Sequence, residues 1–131
     1  MGFLDRLARG PQVPVEETVA RNLTAVLNAK KGYAEAAEVF GLGDHERYPG
    51  GKALLEALVR EMLAAVKAFE PRAGKPEISF LGREGTLFAA FRLRCEIEGR
   101  PAAFRIRMQT VLRYFTVEPM AAGLPDEGAA R

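Results

Sequence analysis

The chain is poor in the residues that build covalent and metal-bound sites. It has one cysteine, Cys95, so an intrachain disulfide and a cysteine-built zinc site are both excluded. It has one histidine, His45, which removes paired-histidine metal centres. A Ser-His-Asp triad does not fit either, because His45 lies between Asp44 and Glu46 with no nucleophile motif around it. Tryptophan is absent and aromatic residues make up only 8%. No apolar run approaches the length needed to cross a bilayer. The first residues, Met1 to Arg6, lack the apolar core of a signal peptide, so the expected compartment is the cytoplasm.

What is present suits one folded domain. The 131 residues are 48% hydrophobic and 27% charged, the balance of a soluble globular protein. Charge becomes informative when split. Residues 1–70 carry nine Lys/Arg against ten Asp/Glu, and residues 71–131 carry ten against seven. The total of +2 is too small to mark a nucleic-acid binder unless the basic groups gather on one surface.

The hydrophobic pattern changes period along the chain. Residues 1–12 read as a flexible lead, broken at Gly10-Pro11. From Val13 to Ala29, Val15, Val19, Leu23 and Val26 form one helical stripe. Lys30 and Lys31 close that helix and Gly32 stops it. A connector follows from Tyr33 to Gly51, with one helical turn at Ala34–Phe40 and breakers at Gly41 to Asp44. Lys52 to Phe69 is the second helix, with Leu55, Leu58, Val59, Met62, Val66 and Phe69 on its apolar face. Pro71 ends it.

After Lys75 the period falls to two. Ile78 and Phe80, then Phe91 to Ile97, then Phe104 to Met108, alternate with polar neighbours, and Val111 to Val117 is a less regular fourth run. Helices followed by a strand meander predict an α+β domain over residues 13–118, with two helices on one face of a four-stranded, mainly antiparallel sheet. Residues 119–131 read as a disordered tail.

Two groups stand out. A two-residue turn at Gly99-Arg100 would set Cys95 opposite Phe104 and Leu93 opposite Ile106. The other face would then pair Arg94 with Arg105 and Arg92 with Arg107. These four arginines are a solvated face or a candidate surface for an acidic partner or RNA. Aromatic residues that would stack bases do not interleave them. The second group is Glu70-Pro71-Arg72. A glutamate at a helix C-terminus opposes the helix dipole, so it is not there for helix stability. Cys95, on an apolar strand face, reads as a small buried hydrophobe.

Several segments resemble a known family. Arg21-Asn22-Leu23 and Val26-Leu27-Asn28, followed by Lys30 and Lys31, resemble the first-helix signature of the lysozyme-like, sheath-initiator subunit of type VI secretion baseplates. Gly41-Leu42-Gly43-Asp44 resembles its turn, and Ala68-Phe69-Glu70-Pro71-Arg72 resembles its Phe-Glu-Pro-Arg junction. The resemblance runs from Val15 to Val117. It implies a non-enzymatic structural part of a contractile injection machine, cytoplasmic and within a membrane-docked baseplate, without cofactor, metal or catalytic residues. It also implies contacts with wedge core subunits through Glu70, Pro71 and Arg72, and with sheath subunits by strand addition. Neither nucleic acid nor direct membrane insertion is implied. A wedge protein of a contractile phage tail or extracellular injection system is the near alternative. A lysozyme-like muramidase, or an acidic-ligand or RNA module using the arginine face, is the alternative of another class.

Overall fold

A computed structural model describes residues 14–29 and 51–121. The lead before residue 14, the connector with its Gly41–Asp44 turn and His45, and the tail beyond residue 121 lie outside the described residues.

The described elements, in order, are α1 (Val15–Ala29), α2 (Gly51–Phe69), β1 (Gly74–Glu84), β2 (Phe88–Ile97), β3 (Arg100–Gln109) and β4 (Tyr114–Met120). The strands form one antiparallel meander in chain order, and both helices cover one face of it. This is the α+β arrangement that the change of period implies. Helix α1 lies along β4, α2 lies along β1, and the helices touch each other. Glu16 and Glu17 fill the first turn of α1, where the helix dipole favours acids.

The core is continuous from helices to sheet. Val19, Leu23 and Leu27 of α1 and Leu58, Met62 and Val66 of α2 meet Phe91, Leu93, Phe104, Ile106 and Met108. Each large side chain hidden this way contributes roughly 1.5–3 kcal/mol of transfer free energy. One expected member is missing. Phe69, the last residue of α2, is 65% exposed. Cys95 is buried, and burial followed by the nearby Glu70 charge pushes its thiol up to about 11. It is protonated and inert at neutral pH.

The central hairpin differs from expectation by two residues. Cys95 faces Ala102, Leu93 faces Phe104 and Phe91 faces Ile106. The turn is Glu98-Gly99, with φ of 54° and 76° at the two residues. Two successive positive φ values are the mark of a type I′ turn, whose twist matches the strands it joins. The end of the sheet differs as well. Val111 to Arg113 form a turn, not strand: the Gln109 carboxamide oxygen accepts from the N–H groups of Val111 and Leu112, both at 2.8 Å. The strand that follows therefore starts at Tyr114 and runs through Pro119 and Met120.

Candidate functional site

The junction after α2 is built around a buried carboxylate. The Glu70 side chain is 1% exposed. Arg72 lies two residues on, past a proline that fixes the chain direction. Its Nε donates to Glu70 Oε2 at 2.7 Å and its Nη2 donates to Oε1 at 2.8 Å, a bidentate pair. The Arg72 backbone N–H donates to Oε2 at 3.2 Å. From α1, Asn22 Nδ2 donates to Glu70 Oε1 at 2.8 Å and to the Phe69 carbonyl at 3.1 Å. An ionised carboxylate has about four acceptor positions, and these donors occupy them.

The electrostatics follow from this geometry. Burial by itself raises the Glu70 pKa. The hydrogen bonds from Arg72 and Asn22, together with the Arg72 charge, outweigh it and hold the carboxyl below its ordinary value of 4.5. Glu70 is thus ionised and saturated at neutral pH. It has neither the proton of a general acid nor a lone pair to offer a sugar, so this carboxyl does not serve a muramidase mechanism.

The three junction residues face different ways. Glu70 points inward, while Pro71 and Arg72 are exposed, the Arg72 side chain by 44%. Glu70 and Arg72 form one closed ion pair, locked to α1 by Asn22. Asn22 came into view earlier only as part of a motif, and its partner could not be read from the sequence. Beside the junction, Phe69 joins Ala25, Val26, Ala29 and Ala65 in lining an apolar groove of about 490 Å³ between the two helices.

The arginine face is also rearranged by the hairpin register. Arg92 stands opposite Arg105, whereas Arg94 faces Ala103 and Arg107 faces Ala90. One like-charge pair remains where two were expected. Glu84, at the end of β1, reaches over the small Ala90 to both neighbours. It pairs with Arg105, and it accepts from Arg107 Nε at 2.8 Å. Arg107 also lies 3.5 Å from Glu118. By strand parity, Glu77, Glu84, Glu96 and Glu118 share this face with Arg92, Arg94, Arg105 and Arg107. Acids are interspersed among the arginines on this surface, and Arg105 and Arg107 are held by carboxylates. A polyanion would therefore find fewer available cations than four arginines suggest.

The outer edge of β4 is taken up by α1. Asn28 Nδ2 donates to the Phe115 carbonyl at 2.9 Å, and the Phe115 N–H donates to Asn28 Oδ1 at 2.6 Å. The Val117 N–H donates to Thr24 Oγ1 at 3.2 Å. Pro119, next on that edge, has no N–H to offer. Among the described residues, no cluster of His, Cys, Asp and Glu could hold a metal ion, and no helix is long and apolar enough to cross a membrane.

Comparison with known proteins gives one family. The family described as baseplate wedge protein gp25 matches residues 14–103, a span that includes α1, the junction and most of the sheet. Neither a curated protein nor a solved structure matches the chain.

Proposed function

This chain belongs to the baseplate wedge protein gp25 family, and from that premise we propose that it joins the wedge to the first sheath ring of a type VI secretion baseplate. The family is one of structural components of contractile injection systems, and its partners are other baseplate components. In our reading the Glu70-Pro71-Arg72 corner docks on wedge core subunits, and the sheet receives sheath strands, at the cytoplasmic side of a membrane-docked assembly. The observation that carries this reading is the closed Glu70–Arg72 pair at the exposed end of α2, inside the matched span. A rigid, prepaid geometry of this kind suits recognition more than turnover.

Strand addition has a structural condition. Pairing on β4 requires α1 to release Phe115 and Val117, while pairing along β1 does not. The phage-type family description also supports a wedge role in a contractile phage tail or extracellular injection system, with the same contacts.

The test is reconstitution. The purified chain is mixed with the wedge subunits of its own baseplate, and the product is offered to sheath subunits. Sheath growth that needs this chain supports the reading. Wedge complexes that form and nucleate sheath equally well without it would overturn it.

A further inference from the structure

At the other end of the sheet from the junction, two turns are tied together. The Leu87 carbonyl, in the turn after β1, accepts from the Thr110 N–H at 2.8 Å and from Thr110 Oγ1 at 3.0 Å. Thr110 opens the turn after β3, and it is buried. The Arg113 N–H donates to the Gln109 carbonyl at 2.8 Å. The Gln109 carboxamide holds the N–H groups of Val111 and Leu112. The backbone of this tip is thus fixed by its own hydrogen bonds. Its side chains are not those of a solvated turn, where glycine, asparagine and aspartate prevail. Val111 is 62% exposed, Leu112 69%, Leu87 44% and Tyr114 39%. Four large apolar groups gathered on adjoining turns mark an interaction surface more than scattered surface residues do.

We propose that this tip is a knob for a protein partner, and that its occupant is an apolar socket with a carboxylate on the rim. The proposal rests on membership of a baseplate family, whose partners are other baseplate components, and not on the sheath-linking role. Charge selects the socket. Residues 85–88 and 109–114 contain no acid, and their one charged residue is Arg113. Arg113 is exposed, and among the described residues no carboxylate pairs with it. Glu84, just before the first turn, is held by Arg105 and Arg107. A rim carboxylate would therefore meet an unspent cation beside the apolar groups. Two other occupants fit less well. In a two-fold contact between tips, each Arg113 would be brought toward its own copy, like charge against like. An anionic lipid surface is held by clusters of cations, and this tip has one. The fixed backbone also lowers the ordering cost of docking.

The experiment places a photo-reactive benzophenone amino acid at position 112 of the full chain, mixed with the wedge and sheath subunits of its own baseplate. Mass spectrometry should find the cross-link in an apolar pocket of one partner subunit, with an Asp or Glu at its edge. Leu112→Ser should weaken capture of that subunit roughly tenfold. It should melt like the wild type, since that side chain is largely in water. Arg113→Gln should weaken capture at about 0.05 M salt and differ little from the wild type at about 0.5 M, where an exposed ion pair is screened. If Leu112→Ser captures the subunit as well as the wild type does, the knob is wrong, while sheath growth that still needs the chain leaves the wedge-to-sheath role standing. A salt-independent loss on Arg113→Gln, or no loss at all, overturns the rim carboxylate. The socket is also overturned by a cross-link within the chain or to a second copy. Binding to vesicles of equal parts phosphatidylcholine and phosphatidylglycerol, without a cross-link to any subunit, overturns it in favour of a lipid surface. If the wild-type chain joins no subunit, both readings fall.

Discussion

Asn28 stands to Phe115 as a residue of a fifth strand would. Its carboxamide gives one hydrogen bond to the Phe115 carbonyl and takes one from the Phe115 N–H. Thr24, one helical turn earlier, does half of the same for Val117. The hydroxyl of Thr24 in turn donates to the Ala20 carbonyl at 2.9 Å, which fixes its orientation. An unpaired strand edge is a template for pairing with other chains, and α1 covers this one with side chains instead of backbone. The sheet thereby ends at β4 unless α1 lets go.

Replacing Asn28 tests how tightly that edge is held. Asn28→Ala removes both bonds, and water can replace them only in part. The variant should lose about 1–2 kcal/mol in urea unfolding. Amide exchange at Phe115 should quicken. Asn28→Asp should be the worse of the two, because a carboxylate oxygen would then face the Phe115 carbonyl. Equal stability of all three proteins would mean that the edge is closed by packing alone.

The hairpin shows what alternation can and cannot specify. Apolar residues at every second position settle which side chains face the helices, and a shift of two residues leaves that unchanged. Register in steps of two is set by the turn. Gly99 announced a turn, but nothing in a glutamate announces a left-handed backbone, so Glu98 was read as strand. Glu84 was hidden for a related reason. Its partners, Arg105 and Arg107, lie two strands away, reached across Ala90, and no local pattern encodes a contact over an intervening strand. Phe69 was misplaced because helical periodicity continues to the last residue of a helix whether or not the core does. The junction itself was legible as a motif. The inward turn of Glu70 was not, since it depends on Asn22, 48 positions earlier.

The turn offers a stabilising change. Glu98 has φ of 54°, a conformation that costs most L-residues roughly 1–2 kcal/mol and asparagine or glycine less. Glu98→Asn should raise stability by about 0.5–1 kcal/mol, as Asn-Gly is the preferred type I′ pair. Gly99→Ala should lower it by a similar or larger amount. Thermal melts of the two variants, moving in opposite directions, would check the turn type. A loss on Glu98→Asn would argue against it.

Two residues of α2 should separate burial from periodicity. Leu58 is 3% exposed and Phe69 is 65% exposed, though both lie on the stripe the sequence suggests. Leu58→Ala should cost about 2–5 kcal/mol, as buried leucine truncations do. Phe69→Ala should stay within about 0.5 kcal/mol of the wild type. Comparable losses at both sites would mean that Phe69 is packed in solution.

The Glu70 clamp should give stability a recognisable pH dependence. The folded carboxyl has a pKa below its ordinary value of 4.5, so the folded state binds its proton more weakly than the unfolded chain does. For a depressed acid, the stabilisation is complete above the unfolded value and is lost as pH falls through the folded one. Wild-type stability should therefore drop as pH is lowered below about 4.5. Glu70→Gln keeps the size of the side chain but removes the charge, and it turns an NH2 group toward donors on Arg72 or Asn22. At neutral pH that variant should be less stable by about 1–3 kcal/mol, from buried donors left without an acceptor. Arg72 is partly exposed and can regain some hydration, which keeps the loss below that of a fully buried pair. Below the folded pKa the wild-type carboxyl is protonated and can no longer accept from every donor. The gap between the two proteins should therefore narrow as pH falls from about 4.5 through the folded pKa. Urea unfolding of both across the acid range would measure it. A gap of constant size from neutral pH to about pH 3 would mean that the Glu70 charge contributes nothing to the clamp.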